Sequence, residues 1–231
     1  MRDCTDEWVW EMRAPVTAQE RTFGGIPEWI EDVWRLRGLV LYDDGRRPQF
    51  LGDDGQFADR DPLDLASYHV LGWCAGELVG CIRFIPVTVP GLTEQVLGCA
   101  KFDELLAALK TDRQSTVEVG RWIVHPEYRR HRVALSLVGG CWSYVQRLGF
   151  RMAVATVGTR GKQDAILQRT GLNPVPGFPP VPCEAFDDEL RTMYAVVREP
   201  APNFRGMVEQ MRGRLAQAAP QAESGLLRES A

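Results

Sequence analysis

Acidic and basic side chains follow one another along residues 116–148, TVEVGRWIVHPEYRRHRVALSLVGGCWSYVQRL. The first part of this stretch is rich in β-branched residues and carries Glu118 and Arg121, whereas the last part has the apolar periodicity of a helix that begins at Val133. Helix N-termini with nearby arginines bind phosphate groups. The stretch therefore predicts a strand–loop–helix unit that holds the phosphate arm of a ligand. A solvated basic turn capping a surface helix would have the same composition.

Glu118 and Arg121 are three residues apart, so in a regular strand their side chains lie on opposite faces. They can serve one site only if the strand is bulged between them, and Gly120 is where a bulge would be least costly. A bulge would also free backbone N–H groups to form an oxyanion hole. An unbroken ladder through residues 117–124 would contradict this hypothesis.

Other reactive side chains give weaker indications. Arg83 lies within the apolar segment LVGCIRFIPV, so it needs a carboxylate partner if it points inward, or it points to solvent from a half-exposed strand. The six cysteines form no C-x-x-C pair and the three histidines form no H-E-x-x-H motif, so we expect no metal site. A G-x-S-x-G elbow is also absent from the sequence, which disfavours a serine hydrolase.

Length and composition indicate a globular chain. The 231 residues are 45% hydrophobic and 25% charged, and we expect one domain over residues 1–204, followed by a C-terminal helix and a mobile or dimer-forming tail over residues 205–231. No apolar run of about 18 residues occurs, and the N-terminus MRDCTDEW is acidic, so we expect no membrane span and a cytoplasmic location.

Charge is unevenly distributed along the chain. Residues 1–64 hold 15 acidic and 8 basic side chains, whereas residues 118–170 hold 3 acidic and 9 basic ones. This asymmetry fits a phosphate-bearing ligand or an acidic protein partner better than nucleic acid, which favours a net basic domain. A charged, solvated face is the simpler alternative.

The elements alternate between strand and helix, which predicts an α/β layered sheet. Strands are expected at 8–12, in a hairpin that begins at 67, in the first part of 116–148 around Glu118 and Arg121, at 152–157 and at 191–197, with helices near 27–36, 102–109, 133–148 and 162–170. Residues 42–60 read as a long loop or lid, and residues 86–97 as a connection. Trp122, Trp142, Val154, Thr156 and Leu167 flank the central strand and would line a hydrophobic tunnel or simply form core.

The central unit resembles motif A of the GNAT acyltransferases, whose consensus is R/Q-x-x-G-x-G/A. The matching residues are Arg129-x-x-Arg132-x-Ala134, with Arg132 in place of the middle glycine. A long side chain then stands where a pyrophosphate normally passes. This departure shifts the expected donor from free acetyl-CoA toward a longer acyl chain on a carrier.

A narrower resemblance covers about residues 30–200. Four motifs are similar, in order and spacing, to the acyl-homoserine-lactone (autoinducer) synthases and the long-chain N-acyl amino acid synthases: Leu36-Arg37-x-x-Val40, Asp61-x-x-Asp64, Gly80-x-x-Arg83-Phe84-x-Pro86 and Glu118-x-x-Arg121-x-x-Val124. Autoinducer synthases usually have an aromatic residue where this chain has Leu41, and a serine where it has Gly120. The sequence VEVGRWIVHPEYRR is closer to the N-acyl amino acid synthases.

This resemblance implies a GNAT-like mixed central β-sheet flanked by helices, with a splayed or bulged central strand. It also implies transfer of an acyl chain from acyl carrier protein, or acyl-CoA, to the α-amine of a small amino-acid-like acceptor. Glu118 would be the general base, and the charge cluster that orders the loop and holds the acceptor would comprise Arg37, Asp61, Asp64, Arg83 and Arg121. The acyl-phosphopantetheine thioester, a co-substrate and not a permanent cofactor, would be held by Ile123, Val124, Arg129, Arg130, Arg132, Val133 and Ala134.

Three points remain open at this stage. The charge cluster could be a purely structural salt-bridge network. The activity could be acetyl-CoA-dependent N-acetylation of a small amine or peptide, and the chain could instead be an acyl-thioester-binding module without turnover. A homodimer is also possible.

Overall fold

A computed structural model describes residues 8–43, 45–129 and 132–217 of the chain. The strands are β1 (Trp8–Arg13), β2 (Tyr68–Cys74), β3 (Glu77–Pro86), β4 (Thr116–Val124), β5 (Met152–Gly158), β6 (Asn173–Pro174), β7 (Val181–Cys183) and β8 (Asp188–Val196). The helices are α1 (Ala18–Gly24), α2 (Glu28–Tyr42), α3 (Leu92–Leu97), α4 (Cys99–Ala108), α5 (Val133–Arg147), α6 (Gln163–Gln168) and α7 (Arg205–Gln217).

The strands of the described residues form one mixed sheet in the order β1-β2-β3-β4-β5-β8-β6, and β7 pairs with β8. β4 and β5 run parallel, and every other pair is antiparallel. Helices cover both faces, since α5 and α7 pack on one and α2 and α3 on the other. The predicted mixed α/β sheet flanked by helices is confirmed.

Helix α5 is the main packing element of the first face. Val133, Leu137 and Val138 are buried there in the largest apolar cluster, together with residues of the central strands. α7 packs against α5 through Met211 and Leu215, and a Cβ on Gly139 of α5 would lie only 2.9 Å from the Met207 side chain of α7. The C-terminal helix expected beyond residue 204 is therefore part of this core, and the expected tail, residues 218–231, lies outside the described residues.

The predicted strands and the helices α2, α4, α5 and α6 are present. α2 extends to Tyr42, beyond the expected end at residue 36. Two helices were missed: α1, whose start is a capping box formed by Thr17 and Glu20, and α3, which lies where a connection was expected. The predicted loop at residues 42–60 contains a short 3-10 helix, Pro48–Phe50, and an isolated bridge between Leu51 and Phe57. No helix within the described ranges is long and apolar enough to cross a membrane.

The central strand β4 is both bulged and splayed, as the sequence predicted. Gly120 pairs with Arg83 of β3 and Ile123 pairs with Cys81. The interval from Gly120 to Ile123 on β4 is therefore one residue longer than the interval that it faces on β3. β4 pairs with β5 only up to Glu118, whereas β5 continues along β8 to Gly158. A cleft therefore opens between β4 and β5 immediately after Glu118.

Candidate functional site

An arginine–aspartate cluster lies on the α2 side of the sheet, beside the bulge. Arg37 of α2 donates to both carboxylate oxygens of Asp64, at 2.8 and 2.6 Å, and Arg83 of β3 lies 2.8 Å from both Asp64 and Asp61. Arg121 of β4 donates to Asp61 at 2.9 Å. The structure thus brings together the five residues that sequence reasoning assigned to a charge cluster, and Arg83 points inward to carboxylate partners.

Asp59 is a sixth member that the sequence motifs did not reveal. Its carboxylate lies 2.9 Å from Arg37 Nε and 3.4 Å from Arg121. Its N–H donates to the carbonyl of Trp34 in α2, and a Cβ on Gly38 would overlap the backbone of Ala58. Gly38 thus lets the segment that carries Asp59 lie directly against the helix. The sequence feature that could have revealed it is the glycine within an otherwise apolar helical face.

Three arginines and three aspartates make this cluster neutral as a whole, and two of the carboxylates, those of Asp61 and Asp64, have lowered pKa values. Burial alone would raise the pKa of Asp64, but its hydrogen bonds with Arg37 and the charge of Arg83 outweigh burial and hold that pKa well below its usual value. Asp61 is partly buried, which raises its pKa, but Arg83 and Arg121 outweigh this effect and lower it. Arg37 and Arg83 have side-chain exposures of 0% and 5%, so neither is free to hold a ligand carboxylate.

Short local structures fix the two motif aspartates. Asp61 caps the 3-10 helix Pro62–Ala66 by accepting a hydrogen bond from the N–H of Leu63. Asp64, one turn later, accepts a further hydrogen bond from the indole of Trp34 at 2.8 Å. The D-x-x-D spacing therefore places one carboxylate, that of Asp61, at the start of the short helix and the other, that of Asp64, one turn later in the same helix.

The bulge places Arg121, and not Gly120, in the left-handed region, with a φ of 52°. An arginine in this conformation costs free energy that glycine would not. The ion pair with Asp61 and the position of the guanidinium over the ring of Phe186, 5.5 Å from its centre, offset that cost. The expectation that Gly120 would be the distorted residue was therefore wrong, because tertiary contacts outweigh local preference here.

Glu118 occupies the apex of the cleft, but the structure does not bring it to Arg121. Its two carboxylate oxygens accept hydrogen bonds from the N–H groups of Leu92 and Thr93, each at 2.8 Å, at the start of α3. Gly91 allows this approach, since a Cβ there would lie 2.6 Å from both oxygens. The side chain of Thr93 also accepts a hydrogen bond from Thr156 of β5, at 3.0 Å. Sequence reasoning missed α3 because Pro90 and Gly91 before it resemble a loop.

A largely apolar cavity of about 90 Å³, with further space that is open to solvent, lies in the cleft between β4 and β5. Its walls include four of the five residues expected to line a tunnel, namely Trp122, Trp142, Thr156 and Leu167, whereas Val154 packs on the opposite face. Gly120 and Arg121 line the cavity from β4. The indole N–H of Trp142 donates to the carbonyl of Val197 at 2.7 Å, which fixes that wall.

The predicted phosphate cradle is only partly described. Arg132 precedes α5 with a φ of 58°, and the first hydrogen bond within the helix runs from the N–H of Ser136 to the carbonyl of Arg132. The N–H groups of residues 133–135 therefore point out of the helix end. Arg129 and Arg132 are exposed, while Val133 is buried. Arg130 lies outside the described residues.

The remaining predicted donor-binding residues flank the opening. Ile123 and Val124 are buried at the far end of β4, where they pair with β3 and leave the opposite strand edge unpaired. The carbonyl of Ala134 accepts a hydrogen bond from the indole of Trp122 at 3.1 Å. This contact joins the first turn of α5 to the cavity wall.

Comparisons with known proteins agree with this architecture. Residues 45–139 match the family model described as an acetyltransferase (GNAT) domain. Among solved structures, the CoA-dependent acyl-homoserine lactone synthase BjaI is 16% identical, with a TM-score of 0.62 over 91% of this chain and 90% of that one. TofI, solved with an inhibitor and MTA, is 16% identical, with a TM-score of 0.60 over 89% of this chain and 99% of that one.

FeeM, an N-acyl amino acid synthase from uncultured soil microbes, is 14% identical, with a TM-score of 0.54 over 90% of this chain and 99% of that one. No curated protein matches the sequence significantly. The matched segment and the shared fold place residues 45–139 in the class of GNAT acetyltransferase domains. Within that class, the fold is similar to those of acyl-homoserine lactone synthases and an N-acyl amino acid synthase, as the sequence motifs predicted.

Proposed function

We propose that this chain transfers a long acyl chain from a phosphopantetheine thioester to the amine of a small, amino-acid-like acceptor. The observation that carries the proposal is the apolar cavity between the splayed strands β4 and β5. An acetyl group has only two carbons and would contact only a small part of an apolar lining that extends over β4, β5, α5 and α6. A long hydrocarbon chain gains from burial in such a space, at about 0.8 kcal/mol per CH₂ group.

The donor's phosphate arm would lie at the start of α5. The outward N–H groups of residues 133–135 and the exposed Arg129 and Arg132 supply hydrogen bonds and positive charge there. The contact between Trp122 and Ala134 joins this helix end to the cavity wall, so one donor molecule spans both parts. The same surface suits the acidic surface of an acyl carrier protein.

The reaction requires a neutral amine and a stabilised tetrahedral intermediate. The amine nitrogen attacks the thioester carbonyl and forms a C–N bond, giving the tetrahedral intermediate; the C–S bond breaks when this intermediate collapses to the amide, and the released thiolate takes up the proton that the general base accepted from the amine. Backbone N–H groups freed at the bulge of β4 would hold the carbonyl oxygen. Glu118, at the apex of the cleft, would accept the amine proton directly or through water, since carboxylate oxygens that each accept one N–H retain further lone pairs.

The cluster would act mainly by positioning. Arg37 and Arg83 are fully engaged with aspartates and fix α2, β3 and the loop around the bulge. Arg121 differs, because its side chain is 17% exposed and lines the cavity. We therefore assign contact with the substrates to Arg121 and not to Arg37 or Arg83.

Mass spectrometry of lipids from cells that express the chain tests this proposal. We expect long-chain N-acyl amino acids or related amides that are absent from cells carrying the empty vector. Ala155→Leu adds bulk to the cavity wall and should shift the products to shorter chains without abolishing them. Purified protein with decanoyl-CoA and with decanoyl-acyl carrier protein then identifies the donor. Turnover of acetyl-CoA alone would refute the long-chain assignment, and thioester binding without product would indicate a binding module.

A further inference from the structure

Gly120 leaves an open space on the α2 side of β4, beside the apex of the cleft. A Cβ built on Gly120 would meet no heavy atom within 4 Å, although the residue is half-buried and its φ lies outside the left-handed region. Neither packing nor backbone conformation therefore requires a glycine at this position. The two preceding residues differ from Gly120 in this respect, since the side chains of Glu118 and Val119 both contact neighbouring elements.

The surroundings of this space are those of a reaction centre. Residues two apart on a strand share a face about 6.5 Å apart, which places the space on the same face of β4 as the side chain of Glu118. Across the sheet Gly120 pairs with Arg83, and the next residue, Arg121, bonds to Asp61. Gly120 also lines the acyl cavity, so the space opens into the cleft.

We propose that the space over Gly120 is the subsite for the acceptor's amine-bearing carbon and its substituents. This inference rests on the proposed acyltransferase function and adds the acceptor's class: an amine on a substituted carbon, as in an α-amino acid. An amine on an unsubstituted carbon would not fill the space. The neutral charge cluster leaves shape as the main means of selecting this acceptor, since Arg37 and Arg83 are saturated by aspartates.

Filling the space with side chains of increasing size tests the proposal. Gly120→Ala, Gly120→Ser and Gly120→Val would be compared with wild type in the acylation of the standard amino acids by decanoyl-CoA and decanoyl-acyl carrier protein. We expect the acceptor KM to rise about tenfold for each added carbon, with phenylalanine and leucine affected more than glycine and the donor KM unchanged. Gly213→Ala, on the exposed face of α7 where a Cβ also meets nothing, is the matched control and should behave as wild type.

The outcomes separate the two proposals. Melting temperatures of the Gly120 variants should equal or exceed that of wild type, because the space is empty and the backbone is ordinary. A wild type that acylates none of the amino acids would overturn the proposed function and this inference together. An active wild type whose Gly120→Val variant keeps its acceptor KM, loses activity equally with all acceptors, or has a raised donor KM would overturn this inference alone.

Discussion

Replacing His69 by glutamine tests how the buried cluster responds to acid. His69 lies on β2 with no exposed surface, and its Nε2 atom is 3.1 Å from the backbone carbonyl of Asp64. Its Nδ1 atom has no hydrogen-bond partner among the described residues. Burial lowers the pKa of His69 from 6.5 to about 4, and the nearby Asp64 charge offsets only part of that effect.

The lowered pKa makes stability depend on pH. Between pH 6.5 and about 4 the unfolded chain binds a proton at this residue that the folded chain does not bind, so the free energy of unfolding falls as pH falls through this range. It is highest above about pH 6.5. With about 1.4 kcal/mol per unit, the loss is about 1.4 kcal/mol near pH 5.5, about 2.5 near pH 4.5 and about 3 in full. The lowered pKa values of Asp61 and Asp64 remove stability only at still lower pH, below about 4.

Urea unfolding followed by tryptophan fluorescence near pH 7.5, 5.5 and 4.5 measures this loss. Glutamine keeps an N–H donor for the Asp64 carbonyl but does not titrate, so His69→Gln should lose most of the pH dependence between 7.5 and 4.5. His125→Gln, at a partly exposed histidine, is the control and should follow the wild-type curve. The reasoning is refuted if wild type loses no stability over this range, or if His69→Gln retains the full slope.

Three further substitutions test the site. Gly91→Ala should reduce turnover at least tenfold while the chain still folds, because the added Cβ would displace the Glu118 carboxylate. Steady-state kinetics measure the turnover and circular dichroism the fold. Unchanged turnover would contradict this role of Gly91. Arg132→Gly should stabilise the fold by up to about 1 kcal/mol, because glycine adopts a φ of 58° without strain, whereas Arg132→Ala should not. Both variants should raise the KM for the donor. Equal unfolding midpoints for the two variants would argue against backbone strain at Arg132. Asp64→Asn should lower the free energy of unfolding by about 3–5 kcal/mol, whereas Asp32→Asn, in an ion pair near the surface, should change it by less than about 1 kcal/mol.

Sequence motifs identified the cluster because its members have fixed spacings in local structure. Asp61 and Asp64 lie in one short helical turn, and the position of Arg83 among apolar residues demanded an internal partner. Asp59 was not identifiable in this way, since it comes from a segment without periodicity and is placed by Trp34 of a distant helix. Long-range placement of this kind depends on tertiary packing, of which the sequence gives only an indirect indication in Gly38 of α2.

The bulge illustrates the same limit at a single residue. Local preference favours glycine in a left-handed conformation, so Gly120 was the natural candidate. The structure instead places Arg121 there, because its guanidinium gains the carboxylate of Asp61 and the ring of Phe186. Sequence reasoning could predict that β4 is bulged, but the residue that carries the distortion is decided by partners 60 or more positions away in the chain.

The neutrality of the cluster separates residues that position the site from residues that meet the substrates. Arg37 and Arg83 have side-chain exposures of 0% and 5%, and both bond to Asp64. Loss of either arginine leaves the buried carboxylate of Asp64 with one ion-pair partner fewer and should appear as lost stability. Arg121 is 17% exposed on the cavity wall, so Arg121→Lys, which keeps the charge but not the planar guanidinium, should change kinetic constants more than unfolding midpoints. The four-motif pattern therefore contains two kinds of residue, and burial is what distinguishes them.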